Sequence, residues 1–135
     1  FIVFLEELLV GEVRTDVEII NPETKQSIFV NALVDSGAVV PMVGRDVIEA
    51  IGVKPDAKAI VYLADDSSIE MDKVEMVKLK IDERGTGCSL LVGDYGIEPL
   101  IGQVVLEQLD LLIDCQKQKL VKRTNSPAFT SYKLK

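Results

Sequence analysis

The stretch Ala32-Leu33-Val34-Asp35-Ser36-Gly37-Ala38 runs from an apolar segment directly into a carboxylate, a small hydroxyl residue and a glycine. Burying a lone carboxylate is costly unless hydrogen bonds or an opposite charge compensate it. An aspartate that ends an apolar strand is therefore either a turn-forming residue or a functional group. Aspartate, serine and glycine are all common in turns, so the tripeptide alone does not decide between the two.

The segments on either side of this stretch predict a mainly β protein, because short alternating or β-rich runs are separated by turn residues. One short helix is predicted between Gly44 and Gly52 and a second at 104–109, and the sequence 84–87 is predicted to be a turn. A strand, a glycine turn and a short helix follow one another at 32–51 and again at 98–109, which two ordinary βα corners would also explain. The predicted strands are 12–20, 27–34, 58–63, 69–76, 77–81, 89–92, 111–114 and 120–122.

The amino-acid composition excludes several classes of function. The 135 residues suit one domain, and a 47% hydrophobic fraction is enough to form a core. The net charge of −7 repels phosphate backbones and anionic lipid, so neither nucleic acid nor a membrane is a predicted partner. Histidine is absent and only two cysteines occur, which excludes Ser-His-Asp and Cys-His triads, common zinc sites and four-thiolate sites. No metal or cofactor is predicted, and carboxylates, hydroxyls, lysine and tyrosine remain for chemistry.

The beginning of the chain and its cysteines bear on its location. The apolar run 1–5 is too short to span a bilayer and has no basic leader before it, so a cytoplasmic location is predicted. Cys88 and Cys115 could form one disulfide or remain two reduced thiols. Their number and wide spacing do not indicate a disulfide-stapled scaffold, which favours reduced, structural cysteines.

Three motifs in order resemble the retropepsin-like (clan AA) aspartic proteases, in particular single-domain bacterial or archaeal members. The sequence 32–38 is similar to their Asp-Thr/Ser-Gly-Ala active-site loop. The sequence 62–67 (YLADDS) resembles their flap hairpin, and 98–106 (EPLIGQVVL) resembles their second apolar-apolar-Gly turn and its helix. The resemblance implies a partly open β-barrel with a flap hairpin and one or two short helices. The domain would span 11–123, with 1–10 as a possible dimer-interface strand and 124–135 as a tail.

The resemblance also implies an activity. Such an enzyme is a homodimeric aspartic endopeptidase that cleaves polypeptides, and each subunit supplies one aspartate to a dyad that activates water. Asp35 would take that part, Ser36 would brace the dyad, and Gly37 would permit close approach of the backbone. Because the chain has one Asp-Ser-Gly element, a second copy is required. The implied substrate-binding residues are Ala38, Leu63, Ala64, Asp65, Asp66, Ser67, Leu100 and Ile101.

The sequence departs from the pattern of this family at two places, which leaves alternatives to an active protease open. Val39 and Val40 stand where many relatives have threonine or serine, and the flap tip has no glycine. A catalytically inactive module of the same fold, used for dimerisation or peptide binding, is the main alternative. Another is an all-β domain that is only superficially similar, with Asp35 in an ordinary turn.

Other polar clusters favour structural interpretations. Asp65, Asp66, Glu70 and Asp72 lack the spacing of a calcium loop and are typical of a solvated hairpin end. The glycines at 93–96 lack the lysine and spacing of a phosphate-binding loop. Asp114 ends an apolar run without a following Ser-Gly and is interpreted as a structural or interface carboxylate.

Overall fold

The computed structural model describes residues 12–114 and 116–123, and the segments 1–11 and 124–135 lie outside the described residues. Within the described part, nine strands and two short helices confirm the prediction of a mainly β protein. The helices are α1 (Arg45–Ala50) and α2 (Gln103–Gln108). The strands are β1 (Arg14–Ile20), β2 (Ser27–Val34), β3 (Met42–Gly44), β4 (Ala57–Tyr62), β5 (Ser68–Ile81), β6 (Arg84–Gly93), β7 (Leu100–Ile101), β8 (Leu111–Asp114) and β9 (Lys119–Lys122).

Seven strands form one mixed sheet in the order β1-β2-β7-β3-β6-β5-β4. Because β1 also pairs with β5, the first six strands of this order close into a ring, which differs from the partly open barrel expected. Ring closure leaves few unpaired strand edges. Strand β4 lies outside the ring and pairs with β5 as a hairpin, while β8 and β9 form a separate two-stranded sheet.

The core lies inside this ring and under the two helices. Strand β1 alternates as predicted, with Val17 and Ile19 buried and their neighbours more exposed. Each fully buried side chain of this kind contributes about 1.5–3 kcal/mol of transfer free energy. The helices add Val47, Ile48, Val105 and Leu106, and further core side chains come from Val77, Leu79, Ile81, Leu90 and Val92.

Some predicted boundaries are confirmed. Strand β2 spans 27–34 as predicted. Helix α1 ends before Gly52, whose φ of 71° lies in the left-handed region that glycine adopts without a steric penalty, so its predicted role as a helix stop is confirmed. Helix α2 begins one residue earlier than predicted.

The predicted turn at 84–87 is wrong, since these residues begin strand β6. Ile81 pairs directly with Arg84, so the turn is Asp82-Glu83, and Asp82 takes a φ of 53°. Arg84 is buried and donates from Nη1 to the carbonyl of Leu109 at 2.7 Å, which anchors the start of β6 to the end of α2. The predicted strands 69–76 and 77–81 are likewise one strand, β5, with a bulge between Val74 and Val77.

Candidate functional site

Strand β7 fixes the point at which Asp35 leaves the sheet. This two-residue strand lies between β2 and β3, parallel to the first and antiparallel to the second. The backbone N–H of Leu33 donates to the carbonyl of Pro99, and that of Asp35 donates to the carbonyl of Ile101, each at 2.9 Å. The backbone of Asp35 is therefore hydrogen-bonded into the sheet before the chain turns.

The Asp35 loop, residues 35–38, is held by hydrogen bonds from its own backbone to the side chain and carbonyl of Asp35. The N–H of Gly37 donates to Asp35 Oδ1 at 2.9 Å, and the N–H of Ala38 donates to the carbonyl of Asp35 at 3.0 Å. Among the residues that the structure describes, Asp35 Oδ2 accepts no hydrogen bond, and the side chain is half-buried. The loop thus orients one carboxylate oxygen and leaves the other for a further group.

The Asp35 loop rests on Gly102, the glycine of the second corner. The N–H of Gln103 donates to the carbonyl of Ala38 at 2.9 Å. A Cβ on Gly102 would lie 2.0 Å from that carbonyl oxygen and 2.7 Å from its carbon, so a larger residue does not fit there. The two similar corners seen in the sequence are therefore in contact, and glycine is required at the contact because of steric crowding.

Other residues of the two corners have different surroundings. Ser36 and Ala38 are half-buried beside Asp35, whereas Val39 is 66% exposed. Leu100 is half-buried, but the Ile101 side chain is 2% exposed and packs in the core. Ile101 contributes its backbone carbonyl to the Asp35 loop, and its expected contact with substrate stays a prediction.

The tip of the β4–β5 hairpin carries the other residues expected to bind substrate, Leu63, Ala64, Asp65, Asp66 and Ser67, all of them exposed. The N–H of Leu63 donates to the carbonyl of Ser67 at 2.8 Å, which closes the tip. Asp66 supplies the left-handed residue with a φ of 68°, the conformation in which a glycine would otherwise be expected. Among the described residues, no hydrogen bond or ion pair joins the tip to the Asp35 loop.

Asp65 organises this tip. Its Oδ1 accepts a hydrogen bond from the Ser67 hydroxyl and another from the Ser67 N–H. These two bonds, the hydroxyl bond foremost, lower the pKa of the Asp65 carboxyl below its ordinary value. Side-chain bonding therefore stabilises a tight tip that has no glycine.

The structure also brings together groups that the sequence did not predict. Arg45 at the start of α1 contacts Asp72 on β5, and Lys58 on β4 contacts the same carboxylate. The sequence pattern predicts that Asp72 belongs to a solvated hairpin end. Asp72 is separated from Lys58 by 14 positions in the sequence and from Arg45 by 27. No local pattern indicates partners that are so far apart.

Cys88 is a free thiol on β6, and burial raises its pKa to about 12. Because the thiolate is the reactive form, we expect native Cys88 to react with iodoacetamide at pH 8 on the order of a hundred-fold more slowly than in urea. Peptide mapping by mass spectrometry would measure Cys88 separately from Cys115, which lies outside the described residues. Equal rates in the native and unfolded protein would contradict this expectation.

The described residues contain neither a membrane-spanning helix nor a metal-binding group of side chains. None of the helices there has the length and apolar character needed to cross a membrane. In the same part of the chain, no three or more cysteine, aspartate or glutamate residues are grouped so as to hold a metal ion.

Comparison with known proteins does not assign a family, because no family model matches the chain and no curated protein matches it either.

Proposed function

We propose that the chain is one protomer of a homodimeric, retropepsin-like aspartic endopeptidase. The observation that supports this most is the seating of the Asp35 loop on Gly102, with Asp35 Oδ1 hydrogen-bonded by the Gly37 N–H. An aspartate in an ordinary surface turn needs no second corner beneath it. Here the second segment is hydrogen-bonded to the backbone at both ends of the loop that orients the carboxylate, and such positioning is what a site for chemistry requires.

The proposed mechanism uses two carboxylates that share one proton. Two aspartates at close range cannot both ionise easily, so one remains protonated. The ionised Asp35 accepts a proton from water as the water oxygen attacks the peptide carbonyl carbon, and the protonated Asp35 of the partner protomer donates to the carbonyl oxygen. As the carbon–nitrogen bond breaks, Asp35 passes its proton to the departing amine nitrogen, and the carboxylate of the partner protomer takes back a hydroxyl proton, so the dyad again shares one proton. We expect an optimum at mildly acidic to neutral pH.

A second copy of the chain supplies the second carboxylate. The sequence has one Asp-Ser-Gly element, so a two-fold axis beside Asp35 is the simplest way to pair it with a like group. Gly37 and Val39 of the same segment are exposed in the single chain, which suits a surface that another molecule covers. Ser36 would brace the pair through its hydroxyl.

The proposed substrate is a polypeptide held in extended form near the hairpin tip. We assign its contacts to Ala38 of the Asp35 loop, to Leu100 and Ile101 beside it, and to the hairpin tip. The tip contributes Leu63, Ala64, Asp65, Asp66 and Ser67. No cofactor takes part in this mechanism.

The proposal is tested by cleavage of an unfolded protein substrate between pH 4 and 7, with the oligomeric state measured by sedimentation in the same buffers. We expect Asp35→Asn to lower the cleavage rate about a hundred- to ten-thousand-fold, because general acid–base catalysis is lost. Asp16→Asn is the matched control, since Asp16 is exposed and, among the described residues, its carboxylate accepts a side-chain hydrogen bond only from Asn31. Cleavage that persists in Asp35→Asn would contradict the proposal.

A catalytically inactive dimerisation or peptide-binding module is the second candidate. It is favoured by the large apolar side chains exposed near both proposed binding elements, Val39 by the Asp35 loop and Ile60 and Tyr62 on the hairpin. A stable dimer that binds peptides but cleaves none, with Asp35→Asn binding equally well, would support this candidate.

A further inference from the structure

Strand β5 pairs with both β4 and β6 at Asp72 and Lys73, and with β4 alone before Asp72, so the hairpin leaves the barrel at Asp72. On the hairpin side, Asp72 pairs with Lys58 of β4, and β5 continues along β4 to its end at Ser68. On the barrel side, Asp72 pairs with Val92 of β6, and β5 continues along β6 to Ile81. Any swing of the hairpin relative to the barrel must therefore occur at or next to Asp72.

The Asp72 carboxylate joins three elements at this point. Its Oδ2 accepts a hydrogen bond from Arg45 Nη2 at 2.7 Å, and its Oδ1 accepts one from Lys58 Nζ at 3.2 Å. The Arg45 and Asp72 side chains are 34% and 28% exposed, so water screens their pairing less than it screens a fully exposed ion pair. The ion pair links the barrel helix α1 to both strands of the hairpin.

Arg45 is also close in sequence to the proposed catalytic group. It begins α1 immediately after β3, and β3 is the first strand that follows the Asp35 loop. Met42 of β3 pairs with Leu100, next to the residues beneath that loop. The ion pair therefore connects the hinge of the hairpin to the helix that follows β3, the strand that comes after the Asp35 loop.

Within residues 12–114 and 116–123, no other side chain duplicates this connection. The carboxylate of Asp56 accepts a hydrogen bond from the N–H of Glu75 at 2.9 Å, which supports the bulge of β5 but stays within the base of the hairpin. Among the residues that the structure describes, Arg45–Asp72 is the one side-chain hydrogen bond or ion pair that joins residues 56–75 to the rest of the barrel.

The charge state of the ion pair suits the proposed reaction. The hydrogen bond from Arg45, followed by that from Lys58, lowers the pKa of the Asp72 carboxyl below its ordinary value. A carboxyl with a lowered pKa keeps its charge above its ordinary pKa and loses it only as the pH falls through the lowered one. The lowered pKa therefore favours the charged ion pair across the pH 4–7 range in which cleavage is expected.

We propose that Arg45 is a positioning residue that, through Asp72, holds the β4–β5 hairpin at a fixed angle on the barrel. Without the ion pair the hairpin swings open more often, and an extended peptide is held less well. The effect on peptide binding rests on the proposed function, whereas the effect on hairpin opening does not.

Hydrogen exchange of the hairpin amides tests the positioning directly. We expect Arg45→Met to speed exchange at 57–62 and 68–73 about ten-fold, while amides of β1 and β2 exchange at the wild-type rate. Glu83→Gln is the matched control, because it removes a surface ion pair with Lys122 at the β5–β6 turn. Unchanged hairpin exchange in Arg45→Met, or equal acceleration throughout the barrel, would overturn the proposal.

A double-mutant cycle separates the ion pair from other effects of either substitution. Asp72→Asn should speed hairpin exchange as Arg45→Met does, and the double variant should exceed the faster single variant by less than about two-fold. Arg45→Lys keeps the charge and should restore slow exchange in part. Multiplicative effects in the double variant would mean that the two residues act independently, which contradicts the proposal.

Kinetics then connect the ion pair to the reaction. For the proposed protease, Arg45→Met should raise KM several-fold and leave kcat within about two-fold, because only binding of the peptide is weakened. A fall in kcat with unchanged KM would overturn the positioning role. If the wild type cleaves nothing, the proposed function fails, and the exchange experiment still decides whether Arg45 positions the hairpin.

Discussion

Mixing wild-type protein with a ten-fold excess of Asp35→Asn protein is expected to lower wild-type cleavage about ten-fold after the subunits have exchanged. This follows if each active site takes one carboxylate from each of two copies. Nearly every wild-type protomer would then be paired with a variant protomer, and a mixed dimer has one catalytic aspartate. Activity depends on the fraction of wild-type pairs, so it falls with the amount of variant added.

The titration distinguishes a shared site from two independent ones. If each protomer were complete by itself, adding the inactive variant would leave the wild-type rate unchanged. The same excess of Asp16→Asn should raise total cleavage in proportion to the protein added, because that exposed residue lies outside the Asp35 loop. Sedimentation of the mixture would show whether dimers form, and inhibition without dimers would contradict the shared site.

Gly102→Ala is expected to cost about 3 kcal/mol of unfolding free energy, at the upper end of overpacking substitutions, and to reduce cleavage with it. The added Cβ would stand 2.0 Å from the carbonyl oxygen of Ala38. Because that atom belongs to the backbone of the Asp35 loop, the loop must shift to make room. Urea unfolding would measure the loss of stability, and cleavage by the folded fraction would measure the displacement of Asp35.

Gly87→Ala is the matched control for this substitution. Its added Cβ would meet Met76 Sδ at 2.8 Å, but that atom is near the end of a flexible side chain. The methionine can move aside, so we expect a change in unfolding free energy of less than about 1 kcal/mol and normal cleavage. Equal losses in the two alanine variants would contradict the special role of Gly102.

The sequence predicts those strands and helices that are long enough to show a pattern of apolar and polar residues. Strand β2 agrees with its predicted bounds, helix α1 lies between Gly44 and Gly52 as predicted, and α2 is displaced by one residue from its predicted position. The strands β3 and β7 have three and two residues, too few to show alternation. Yet β7 is the strand that places Asp35 against Gly102. The pairing of β7 with β2 and β3, on which the candidate site depends, could not be predicted because a strand of two residues shows no pattern.

Long-range contacts explain the other differences. The sequence 84–87 contains two glycines and was predicted to be a turn, but Arg84 is buried against carbonyl groups at the end of α2. Asp72 was placed on a solvated hairpin end, although Arg45 bonds to it from 27 positions away. Such distant contacts depend on how the strands close into a ring, and the residues next to Arg84 or Asp72 in the sequence do not indicate them.

The insertion of β7 between β2 and β3 sets an order for assembly during protein synthesis. Leu33 of β2 pairs with Leu100 of β7, which is synthesised 67 residues later, so this pairing cannot form until then. Contacts of such separation form slowly, because a long loop must close before they contribute. A nascent chain that ends before residue 99 contains β1, but it lacks β7, the other neighbour of β2, and the glycine beneath Asp35. The Asp35 loop thus acquires the support of Gly102 only after residues 99–103 have been translated, and for the proposed protease this order would keep the catalytic aspartate unsupported until then.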